Sequence, residues 1–155
     1  MIIIKRLVYI TCILLFLSVD NFMTSVSSKR VSDSGADLRS IVGKVFECFN
    51  KHDWQAMANL YALNALFRDP GFGIEPKFQN HDQIIAKYTE LEKMFPDIHD
   101  EVTGVYPSGN EYVIVEFVST GAAKNGLKLK LPICTIFKVE HGQITKDLTY
   151  YDNAQ

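Results

Sequence analysis

From residue 127 to residue 139 the chain alternates without a break: Leu127, Leu129, Leu131, Ile133, Thr135, Phe137 and Val139 fall on one side, and Lys128, Lys130, Pro132, Cys134, Ile136 and Lys138 on the other. A period of two sustained this long predicts a strand with one buried face and one partly wet face. It demands a sheet. The segment before it places Val113, Val115 and Phe117 opposite Tyr112, Ile114 and Val118, apolar on both sides, which suits a central strand. Asn125-Gly126 predicts a hairpin between the two, because both residues tolerate the positive φ of a tight strand-matching turn. With breaks at Pro107-Ser108-Gly109-Asn110 and Glu140-His141-Gly142, the stretch from His99 onward reads as three or four antiparallel strands.

The residues before His99 read differently. Leu38, Ile41, Val42, Val45, Phe46 and Phe49 have the spacing of one helical face. Asp53 is placed to cap a second, short helix with its stripe at Trp54, Met57, Ala58 and Tyr61. Ala65 to Asp69 reads as a short strand closed by Pro70-Gly71, and a loop follows through Gly73, Pro76 and Lys77. A third helix, capped by Asn80 or Asp82, carries Ile84, Ile85, Tyr88, Leu91, Met94 and Phe95 before Pro96 stops it. Helices first and a meander after them give an α+β class: three N-terminal helices packed on a curved antiparallel sheet. Such a sheet bent over helices encloses a cone, whose wide end is a natural pocket.

The start of the chain belongs to another category. Lys5 and Arg6, the apolar run Leu7 to Val19 and then Ser25, Val26, Ser27 and Ser28 follow the order of a secretory signal, with cleavage expected after Ser27 or Ser28. The run is shorter than the roughly 20 residues that span a bilayer, so no permanent membrane span is expected once the leader is removed. The reading is therefore a signal peptide over 1–28, a linker over 29–37 and one domain over 38–152, exported to a periplasm or the exterior. Without Lys5, Arg6 and Asp20, the chain's 16 basic and 18 acidic side chains become 14 and 17, which gives no electrostatic reason to expect nucleic acid. Cys48 and Cys134, each among apolar neighbours, read as two separate buried thiols or a disulfide. His52, His81, His99 and His141 stand singly, so no metal site and no cofactor are implied.

Several local residues in order, Asn50-Lys51-His52-Asp53-Trp54, Leu60-Tyr61-Ala62, Phe67-Arg68-Asp69-Pro70, Phe95-Pro96-Asp97 and Gly142-Gln143-Ile144 leading to Tyr150-Tyr151-Asp152, make residues 38 to 152 resemble the SnoaL-like branch of the nuclear transport factor 2-like superfamily. Relatives there include ketosteroid isomerases and polyketide cyclases. By this resemblance Asp69 matches the aspartate that ketosteroid isomerases use as general base. Two other isomerase positions depart from the pattern: the tyrosine expected eight residues before Asp53 falls at Val45, and the acid expected in the long strand falls at Cys134 or Thr135. The resemblance also turns Asp147, Thr149 and Tyr151 of the last strand toward the cavity, and a cyclase-type base late in the chain would be Asp147 or Asp152.

Asp69 and Asp147 are thus the candidate catalytic residues, and Tyr61, His99 and Tyr151 the candidate ligand-binding ones. A carboxylate beside apolar residues can have a raised pKa and take a proton from carbon. A tyrosine can donate a hydrogen bond, and a histidine can shuttle a proton near neutral pH. Each has a plainer alternative: Asp69 as a turn residue or as the partner of Arg68, Asp147 as an exposed strand residue, Tyr151 as packing, His99 as surface. The function expected is binding of a small apolar organic molecule, with proton-transfer chemistry of an isomerase, lyase or cyclase. The alternative is a non-catalytic ligand-binding or dimerisation module of the same fold.

Overall fold

The computed structural model describes residues 37–73 and 75–152, so the leader over 1–28 and the linker as far as residue 36 lie outside the described residues. Helix α1 runs through residues 37–50 and buries the expected face: Leu38, Val42, Val45, Phe46 and Phe49. The chain then turns at His52, in the left-handed region at φ 55°. The Asp53 carboxylate accepts the Ala56 N–H at 3.0 Å and opens α2, Trp54–Ala58. Here the reading and the structure part. Tyr61 is not the last residue of a helical stripe but the first of strand β1, Tyr61–Arg68. Pairing decides this, since the Ile144 N–H donates to the Leu60 carbonyl at 2.9 Å and β6 takes up the chain, overriding local helical spacing.

Strand β1 ends in a single helical turn, Pro70–Phe72, and a three-residue strand β2, Lys77–Gln79, pairs with β1. The sequence reading assigned β2 to loop, because three residues are too few to show a period. Helix α3, His81–Met94, begins with a capping box: Asn80 accepts the Gln83 N–H and Gln83 accepts the Asn80 N–H, both at 2.9 Å. The Trp54 indole N–H donates to Glu92 Oε2 at 2.7 Å, tying α2 to α3, and its ring stacks between His52 and Tyr88. No described helix is long and apolar enough to cross a membrane.

Strands β3 (His99–Ser108), β4 (Tyr112–Ala122), β5 (Lys128–Glu140) and β6 (Gln143–Tyr150) form the meander, and the six strands lie in the order β2-β1-β6-β5-β4-β3. All pairs are antiparallel except β1 with β6, which is parallel because the chain leaves β1, crosses over through α3 and returns as β6 after four intervening strands. The Asn125-Gly126 turn is wider than a two-residue hairpin. Only Gly126 takes a positive φ, at 90°; Asn125 instead accepts the Leu127 N–H with its side chain at 3.1 Å. Register shifts between Val102 and Gly104 on β3, between Lys138 and Val139 on β5, and between Tyr61 and Leu66 on β1 bend the strands around the helices. Val113, Val115, Phe117 and Ser119 of β4 are all buried on the inner face, where Phe46 meets Phe117 edge to face at 4.9 Å. Cys48 on α1 and Cys134 on β5 are free and half-buried.

Candidate functional site

Helices and sheet leave a cavity of about 310 Å³ between them. Its walls are mainly apolar, with Phe46 and Phe49 from α1, Leu91 from α3, Phe117 from β4 and Ile133 from β5 among them. Asp69, Asp147, Tyr61 and Tyr151 all line it. His99 does not. It is exposed on β3, and strand alternation sends its neighbours Ile98 and Asp100 to the cavity instead.

Asp147 is buried, and both of its oxygens accept hydroxyl hydrogen bonds: Tyr61 donates to Oδ2 at 2.8 Å and Thr149 to Oδ1 at 3.0 Å. The Thr149 hydroxyl is also 2.8 Å from that of Thr135 on β5. Burial pushes the Asp147 pKa above the ordinary carboxylate value, although the Lys87 charge and the two hydroxyl donors oppose the rise. Burial and the nearby Asp147 carboxylate together push the Tyr61 phenol well above its ordinary value, so it stays a donor. Its main chain is pinned as well, since His81 Nε2 lies 2.9 Å from the Tyr61 carbonyl oxygen.

Asp69 follows the last residue of β1 and meets three groups. Lys87 Nζ of α3 lies 2.7 Å from Oδ2, while the Tyr151 hydroxyl and the Gly71 N–H donate to Oδ1 at 2.7 and 2.9 Å. The turn role and the cavity role therefore coexist in one side chain. Its ion pair is with Lys87 rather than Arg68, whose guanidinium lies over the Tyr150 ring at 4.4 Å. Burial raises the Asp69 pKa, but the Lys87 ammonium and the two donors outweigh it and hold the carboxyl below its ordinary value. Gly71 has a steric reason to be glycine: a Cβ there would stand 2.7 Å from the Tyr151 oxygen. Burial and the Asp69 hydrogen bond keep Tyr151 protonated.

Two cavity residues escaped the sequence reading. Lys87 falls on the apolar stripe of α3, three residues after Ile84 and four before Leu91, and a lysine on a buried stripe is itself a signal. Asp100 likewise interrupts an alternating pair, Ile98 and Val102. The set as a whole offers a carboxylate of raised pKa, an ammonium and fixed hydroxyl donors around an apolar hollow. That is equipment for orienting a small organic molecule and moving a proton on it.

A fold of this class with such a cavity can be compared with known proteins. The sequence pattern of the SnoaL-like domain matches residues 42–146, and the chain belongs to that family. No curated protein matches it by sequence. Among solved structures it is similar to a Catenulispora acidiphila protein of ketosteroid isomerase-like fold in complex with trimethylamine, at 21% identity and TM-score 0.65 over 73% of this chain and 85% of that one. It is also similar to Bal32a, from a soil-derived mobile gene cassette, at 17% identity and TM-score 0.68 over 77% and 92%. IdmH of Streptomyces antibioticus, a proposed polyketide cyclase, aligns at 20% identity and TM-score 0.63 over 74% and 91%. These likenesses establish the fold.

Proposed function

We propose that this protein is an exported SnoaL-like enzyme that removes a proton from carbon beside a carbonyl in a small, mostly apolar organic molecule, as an isomerase, lyase or cyclase does. The observation that carries the reading is the placing of Asp147 and the Asp69–Lys87 pair on the wall of one apolar cavity. Asp147 is the proton acceptor. Its raised pKa makes it the stronger base of the two aspartates, whereas Asp69 is held ionised and weakly basic by Lys87. In the step, the substrate C–H bond breaks, its proton passes to an Asp147 oxygen and the electron pair moves onto the carbonyl oxygen. Lys87, on the same cavity wall, supplies the positive charge that stabilises that enolate oxygen.

Names among the relatives support this reading, and the trimethylamine held by the Catenulispora protein supports the binding of a small organic molecule. Export rests on the leader pattern of residues 1–28. Pairing of two copies is supported by the outer sheet face, where alternation places Ile114, Val118, Ile136 and Leu148 away from the helices. The test is proton exchange in D2O, followed by NMR, over a panel of small apolar ketones. Wild type is expected to exchange α-protons, Asp147→Asn to do so at least ~100-fold more slowly, and the rate to rise with pH through the Asp147 pKa. Exchange by Asp147→Asn at the wild-type rate removes the assigned base. No exchange with any ketone leaves the non-catalytic binding module as the reading.

A further inference from the structure

A hydroxyl carries a single proton, so the hydroxyls on the cavity wall can be sorted by where each proton goes. Among the described residues six of them line it: Tyr61, Tyr88, Ser119, Thr135, Thr149 and Tyr151. Tyr61 and Thr149 donate to the two oxygens of Asp147, and Tyr151 donates to Asp69. Ser119 hydrogen-bonds the Asp100 carboxyl group. The Thr135 hydroxyl lies 2.8 Å from that of Thr149, whose own proton is on Asp147, so Thr135 is the donor of that pair. Every one of these protons is committed to a protein oxygen except that of Tyr88.

Tyr88, on the inner stripe of α3, is held by its ring instead. Phe49 meets it edge to face at 5.8 Å, Trp54 stacks on it at 5.7 Å, and Lys87 Nζ lies 4.9 Å from its centre. Among the described residues no hydrogen bond reaches its hydroxyl, and its oxygen is open, unlike the sealed and partnerless Oδ1 of Asp100. Burial, and after it the charges of Asp147, Asp69 and Asp100, push the phenol well above its ordinary pKa, Asp147 acting most strongly of the three. Those carboxylates stand on β6, at the end of β1 and on β3. A hydroxyl that feels all three lies toward the middle of the cavity rather than behind one wall, and it keeps its proton. Such a fixed donor has no protein acceptor to give up, and in an apolar hollow the bond it makes to a guest is stronger than in water.

Resting on the reading of Asp147 as the base, we propose that Tyr88 is the residue that holds the substrate's carbonyl oxygen, its O–H donating to that oxygen and the bond strengthening as the enolate forms. The proton leaving carbon goes to Asp147, the electron pair goes to the carbonyl oxygen, and Tyr88 keeps its own proton throughout. The test uses 2-tetralone, an apolar ketone with exchangeable α-protons, and tetralin, the same rings without the oxygen, on the full folded chain at about pH 8. Tyr88→Phe retains the ring and removes only the hydroxyl. It is expected to weaken 2-tetralone about tenfold in titration calorimetry while leaving tetralin unchanged. It is also expected to raise the carbonyl stretching frequency of bound 2-tetralone in infrared difference spectra and to slow α-proton exchange about 100-fold. With 3-fluorotyrosine at position 88, a more acidic donor, the same band is expected to move the other way, which a merely structural role would not cause. Should Tyr88→Phe fail to fold, the 3-fluorotyrosine band decides. A band that moves with neither change, or exchange by Tyr88→Phe at the wild-type rate, overturns the Tyr88 assignment and leaves Asp147 as the base. A band that moves in a protein whose wild type exchanges no α-protons supports the Tyr88 donor and overturns the base. Binding of neither compound overturns both.

Discussion

Asp100→Asn is expected to fold more stably than wild type at pH 8, by roughly 2–3 kcal/mol, and to lose that advantage by about pH 4. The cause is the carboxyl group's burial, which raises its pKa from 3.8 to about 7, while the Ser119 hydrogen bond only partly opposes the rise. The folded chain therefore holds this proton more tightly than the unfolded chain does. Below about pH 4 both states are protonated and the group costs little. As pH rises from about 4 to 7 the unfolded chain releases the proton first, and stability falls through that window. A shift of three units corresponds to about 4 kcal/mol, from which the asparagine loses some because its amide N–H groups find no full set of acceptors. Denaturant unfolding at pH 4, 6 and 8 measures the difference directly. A gap that does not change with pH would show that Asp100 is solvated or neutralised in solution.

How much of this was legible in the sequence depends on whether a local pattern or a distant partner decides each feature. Helix α3 was readable to its cap, because Asn80, Gln83 and the apolar stripe are local. So was the inner face of β5, since a strict alternation admits only one assignment. Strand β1 was not. Three extra residues between its two registers with β6 break the period, and nothing within residues 61–66 reveals the strand that claims them. The same holds for the site. Asp147, Thr149 and Tyr151 share a face by alternation alone. That Tyr61 would reach Asp147, 86 residues away, or that Lys87 would take Asp69 from its neighbour Arg68, depends on the α3 crossover and the parallel β1–β6 pairing. His99 and Asp100 differ by one position, and that step decides which faces the cavity.

Lys87→Met is expected to destabilise the folded chain by about 3 kcal/mol at pH 7, although methionine suits a buried helical stripe. Lys87 Nζ lies 2.7 Å from Asp69 Oδ2, with side-chain exposures of 9% and 17%, so removing the cation leaves a largely buried carboxylate without its counter-charge. Asp69 has a folded pKa below its ordinary value, and the stability it contributes is present above that value and is lost as pH falls through the folded pKa. In Lys87→Met burial acts without the opposing ammonium and the Asp69 pKa rises. The loss is therefore largest near neutral pH and shrinks in acid, where Asp69 is protonated in either protein. Asp69→Asn added to Lys87→Met is expected to restore more than half of the loss at pH 7, as a double-mutant cycle by denaturant unfolding would show. A single-variant cost under about 1 kcal/mol would mean that water screens the pair. The same substitution separates folding from chemistry. The Lys87 charge also lowers the Asp147 pKa, so its removal shifts the rise of proton exchange with pH toward higher pH. Asp69→Asn on top of it restores stability but returns that profile only part of the way, because the Asp69 charge that raises the Asp147 pKa is gone while the larger effect of the Lys87 cation is still missing.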